Sequence, residues 1–98
     1  MLTVGLLIRI EAKPDKVAEV EALLTAAFTQ VQQEERTPVW FALRLGPTTF
    51  GVFDAFNDED GRQAHLEANG EALRAQAGTL FVEPPSIGPV DVIDAKVP

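Results

Sequence analysis

Apolar residues recur along this chain at two spacings, and the switches between them divide it into elements. Residues 2–11 are almost continuously apolar through Val4-Gly5-Leu6-Leu7-Ile8, as in a strand covered on both faces. Val4, Leu6, Ile8 and Ile10 make one large-residue side, and Thr3, Gly5, Leu7 and Arg9 a mixed one. The spacing then changes. Val17, Val20, Leu23, Leu24, Ala27, Phe28 and Val31 fall at helical intervals, with Glu19, Glu21, Gln30 and Gln33 off the stripe. Lys13-Pro14-Asp15 suits the opening turn, so a helix of about 20 residues is expected. Thr37–Phe56 alternates again, as two strands about a Gly46-Pro47 turn. Asn57-Asp58-Glu59-Asp60 has the capping side chain and early acids of a helix start. The second helix carries Gly61, Ala64, His65 and Ala68 on one side. Asn69-Gly70 is expected to interrupt it, and Gly78 to stop a short further helix over Glu71–Ala77. Phe81–Pro85 reads as a rigid connector and Ile87–Ala95 as the last strand.

The order βαββαβ predicts an α+β chain folded as a ferredoxin-like plait, one domain over residues 1–98, with the first and third strands central. Pro38 and Pro89 agree, since each lies in or beside a strand expected at an edge, where a missing N–H is tolerated. The hairpin is apolar on both faces: Val39, Phe41, Leu43 and Leu45 on one, Trp40, Ala42 and Arg44 on the other. Antiparallel hairpins normally turn one polar face to water. Helices cover one face, and in 98 residues little is left for the second, so a second copy is expected there. A homodimer follows.

Composition narrows the partners. The formal net charge of −7 argues against nucleic acid and anionic membranes, whose phosphates need clustered Lys and Arg. There is no cysteine, which excludes disulfides and thiolate metal sites. The apolar N-terminal run has no basic segment before it and is shorter than the roughly 20 residues of a membrane span, so a cytoplasmic protein is expected. Asp58-Glu59-Asp60 lacks the spacing of a calcium loop, and no metal site, nucleophile–base pair or phosphate loop is visible.

Taken in order, Ile10-Glu-Ala-Lys-Pro-Asp-Lys, the apolar helix, Trp40-Phe-Ala-Leu-Arg, Phe50-Gly-Val-Phe-Asp-Ala-Phe-Asn-Asp-Glu and Gln63-Ala-His65-Leu66 resemble the antibiotic biosynthesis monooxygenase family over essentially the whole chain. The resemblance implies a dimeric α+β barrel of two plaits packed sheet to sheet. It also implies an activity among the family's several: oxygenation of phenols without a cofactor, haem degradation or isomerisation of a signal metabolite. The haem-degrading branch uses an Asn, a Trp and a His whose positions fall near Leu7, His65 and Ala75 here, and none matches. What the resemblance leaves is a cofactor-independent monooxygenase of a small aromatic substrate. The alternative is a metabolite-binding or isomerase relative without oxygenase activity.

Six residues are the candidates for that chemistry. His65, the only histidine, resembles the pocket-facing helix position of the family and could take a phenol's proton. It could equally be packed at a helix–sheet contact. Pairing across a two-residue turn would set Thr49, Gly51, Phe53 and Ala55 beside Trp40, Ala42 and Arg44. Trp40 and Phe53 would then wall a slot floored by Ala42, Gly51 and Ala55, unless Phe28 fills it. Arg44, or Arg9, could stabilise an oxyanion, or pair with Asp54 or Glu11. Asp54, placed by the same pairing on the face opposite Trp40, is expected to be paired, because an unpaired buried carboxylate is costly.

Overall fold

The elements observed in a computed structural model of residues 1–98 are β1 (Val4–Glu11), α1 (Val17–Val31), β2 (Val39–Arg44), β3 (Thr49–Phe56), α2 (Glu59–Arg74) and β4 (Ser86–Asp91). The sheet is antiparallel in the order β2-β3-β1-β4. This is the expected plait, with Pro38 just before one edge strand and Pro89 within the other. No helix is long and apolar enough to cross a membrane.

Both helices lie on the side of the sheet to which Leu6, Ile8, Ile10, Phe50 and Val52 point. There Val20 and Leu24 of α1 and the fully buried Phe81 complete the core. The even positions of β1 are thus the covered side. Leu7 on the other side is 53% exposed and Phe41 54%.

The structure ends the last strand at Asp91 rather than Ala95 and corrects three further expectations. α1 has 15 residues and begins at Val17, because Lys13–Lys16 forms a tight turn closed by the Lys16 amide on the Lys13 carbonyl (2.9 Å). α2 does not break at Asn69-Gly70. A mid-helix glycine costs about 1 kcal/mol relative to alanine, but here Asn69 donates to the His65 carbonyl one turn earlier (2.9 Å) and Gly70 is buried. The helix is capped by Asp58, which accepts from the Gly61 amide (2.7 Å), and Gly78 follows its end with φ of 86°.

The third correction is the hairpin register. The connection has three residues, Gly46-Pro47-Thr48, closed by the Leu45 amide on the Thr49 carbonyl (2.8 Å). Thr48 and Thr49 both donate to the Glu11 carboxylate on β1, which anchors the third loop residue. Trp40 therefore pairs with Asp54, Ala42 with Val52 and Arg44 with Phe50. One extra loop residue moves every side chain of a strand to the other face. Phe53 and Gly51 accordingly share the open face with Phe41 and Leu43, and do not form a slot with Trp40 and Ala42. Asp54 lies on the same face as Trp40, not opposite it.

Candidate functional site

Small residues leave space between the helices and the sheet. Ala26 and Ala27 on α1 and Gly70 and Ala72 on α2 border a cavity of about 220 Å³ above Leu6, Ile8 and Val52. Trp40 forms one wall and His65 and Asn69 the polar end. Phe28 stacks on the outer side of that wall, its ring 6.1 Å from the indole at 24°. The phenylalanine expected as a possible filler thus flanks Trp40, and the cavity lies beyond.

His65 projects from α2 toward β3 and is 5% exposed. Its Nδ1 lies 2.6 Å from Glu34 Oε1, on the connector after α1, and its Nε2 3.1 Å from Asp54 Oδ2. Phe56 covers the ring at 5.4 Å. Glu34 is further bound by the Thr37 hydroxyl (2.9 Å) and the Asn69 amide (2.9 Å). Asp54 is fully buried, and neither of its oxygens meets a donor in hydrogen-bond geometry. The approach to Nε2 is therefore a close charge contact rather than an aligned hydrogen bond.

Burial disfavours a charged imidazole, but the carboxylates of Asp54 and Glu34 outweigh it and hold His65 above its ordinary range. For Glu34, burial again opposes the charge, and the donors Asn69, His65 and Thr37 overcome it and hold the carboxyl below its ordinary range. The ring thus lies between two carboxyl groups that favour its protonated form. The carboxylates meet opposite nitrogens and do not converge on one point as metal ligands would.

Of the six candidates, the structure brings Trp40 and His65 to one cavity. Arg44 and Ala42 instead line a separate open groove of about 490 Å³ between α1 and β2. There Arg44 pairs with Glu21 (3.1 Å), not Asp54 or Glu11, and lies over the Phe50 ring at 4.6 Å. Gly51 offers no floor. A Cβ there would stand 3.1 Å from Leu45 Cδ1 and 3.3 Å from the Ile8 carbonyl. Sequence reasoning missed Glu34 and Asn69. Glu34 sits in Gln32-Gln33-Glu34-Glu35-Arg36, which looks like any solvated connector, and Asn69 looked like a helix breaker. Asp54 did leave a signal, as the lone acid in an apolar strand.

No family model matches the chain, and neither does any curated protein. Solved structures do. The crystal structure of NE2512, a protein of unknown function from Nitrosomonas europaea, is 47% identical over 100% of this chain and 96% of its own, with a TM-score of 0.94. A protein provisionally named an antibiotic biosynthesis monooxygenase, also from Nitrosomonas europaea, is 18% identical over 93% of this chain and 90% of its own, with a TM-score of 0.80. Another of that provisional name, from Deinococcus radiodurans, is 18% identical over 96% of each chain, with a TM-score of 0.79.

Proposed function

As this chain belongs to one family with the NE2512 protein and has the fold of the proteins provisionally named antibiotic biosynthesis monooxygenases, we propose that it oxygenates a small aromatic, phenol-type substrate without a cofactor. One observation carries this reading: an apolar cavity walled by Trp40 ends in a buried proton-handling trio. Trp40 would hold the substrate ring by offset stacking. Removing the phenol's proton raises the electron density of the ring until it can reduce oxygen. A hydrogen-bearing ring carbon ortho or para to the phenolate then becomes a carbonyl, one oxygen atom staying on carbon and the other leaving as water with that carbon's hydrogen and the phenol's proton. The trio suits the first step because Glu34 and Asp54 stand 2.6 and 3.1 Å from the His65 ring, and the three can share a proton taken from the substrate. Glu34, with 19% of its side chain exposed, is the member that can return that proton to solvent. A protonated His65, the form its carboxylate neighbours favour, would supply the positive charge that the sequence reading assigned to Arg44, which lies in the other groove.

A second reading, a metabolite-binding relative without oxygenase activity, is favoured by one feature. Both nitrogens of His65 are already engaged by carboxylates, as in a purely structural tie. An oxygen electrode separates the two. With a panel of hydroquinones, naphthols and anthrones, the oxygenase reading expects uptake equimolar with product, and a loss of about 10²–10⁴-fold in His65→Ala. Binding of the panel with no uptake establishes the second reading instead.

A further inference from the structure

We propose that Asn69 reads the substrate's hydroxyl: its amide oxygen accepts the O–H of an uncharged one- or two-ring phenol held in the cavity. This rests on the phenol reading above and adds the residue and the ligand size to it.

Asn69 Nδ2 stands 2.9 Å from Glu34 Oε2 and 2.9 Å from the His65 main-chain carbonyl. Both partners are acceptors, so both amide hydrogens are spent and the amide cannot be turned round without setting Oδ1 against two oxygens. Oδ1 is then the free end. No group of the chain donates to it, and the buried atoms left without partners are those of Asp54 alone. The cavity's other deep polar residue, His65, has both nitrogens taken, and Gln30 stands exposed at the rim. Beside His65 the cavity therefore offers an open acceptor, the Asn69 Oδ1, while its open donor, the indole N–H of Trp40, lies on the wall. At Asn69 that chemistry favours a ligand group that donates a hydrogen bond over an ether of the same shape.

Charge and size sharpen the class. A carboxylate or phosphate set against Oδ1 would meet an acceptor whose own amide is bound to a further carboxylate, Glu34, so such anions are disfavoured. An apolar cavity of about 150 Å³ takes up benzene. The cavity here, about 220 Å³, is half again as large. That is room for a substituted single ring or two fused rings, and too little for a four-ring ligand.

Calorimetric titration at pH 7 with 2-naphthol, 2-methoxynaphthalene and 2-naphthoate tests this. On wild-type protein, 2-naphthol is expected to bind about tenfold tighter than its ether, the size of one net hydrogen bond, and the naphthoate more weakly than either. Asn69→Leu, checked for its circular dichroism spectrum, is expected to bind naphthol and ether alike. The wild-type comparison stands even where the variant does not fold. Equal affinity for naphthol and ether on wild-type protein, a preference for naphthoate, or no naphthol binding overturns the assignment. The tenfold preference without oxygen uptake keeps Asn69 and removes the oxygenase reading. Oxygen uptake on 2-naphthol with an unchanged KM in Asn69→Leu does the reverse.

Discussion

At His65 one ring gathers three parts of the chain, the α1–β2 connector through Glu34, β3 through Asp54, and its own helix. The arrangement makes stability depend on pH in a definite direction. The folded value of His65 is raised above 6.5, so its contribution is complete below that pH and fades as pH rises through the folded value. The folded value of Glu34 is lowered from 4.5, so its contribution is complete above that pH and fades as pH falls through the folded value. Between them lies a window, roughly pH 4.5 to 6.5, in which both contribute fully. Melting curves across pH 3–9 should show Glu34→Gln losing most relative to wild type inside that window. In Asp54→Asn, the His65 ring carbon should titrate at lower pH by NMR, because one of the two stabilising charges is gone. An unshifted titration would mean that the 3.1 Å approach of Nε2 to Asp54 is not an electrostatic contact.

The hairpin shows how much one loop residue decides at the level of elements. Gly46-Pro47 is legible as a turn, but whether Thr48 belongs to the loop or to the strand is not. The answer assigns Trp40 to the side of Val52 and Asp54 rather than to that of Gly51 and Phe53. Both faces are apolar, so the residue pattern does not discriminate between registers. What discriminates is Glu11 on β1, which binds the hydroxyls of Thr48 and Thr49 from 37 and 38 residues away. Deleting Thr48 should force a two-residue turn and drive Trp40 to the open face or unfold the hairpin. Either outcome shifts the fluorescence of the single tryptophan to the red. An unmoved spectrum would show that β2 keeps its register without the three-residue loop.

For the whole molecule, the sheet is half covered. Leu7, Phe41, Leu43 and Leu45 stay 39–54% exposed on the side away from the helices. Contiguous apolar surface of this kind marks an interaction face, and the expected occupant is a second copy meeting it sheet to sheet. Sedimentation velocity at micromolar concentration should give a single species at twice the 10.6 kDa chain mass. Phe41→Glu should convert it to a monomer, since a charge buried in such an interface is left without water or partner. A wild-type monomer would leave the open face unexplained.

Periodicity by itself determined the element order, the plait and the edge positions of β2 and β4. Each follows from local spacing of apolar residues or from where proline is tolerated. It also singled out His65 and Trp40, because a lone histidine and a lone tryptophan among apolar neighbours stand out in any reading. It could not determine the hairpin register, the continuity of α2 or the company His65 keeps. Those depend on contacts such as Glu34 to His65 and Asn69, 31 and 35 residues apart. Only after the chain has folded do these groups come within hydrogen-bond reach, so no local pattern in the sequence records them.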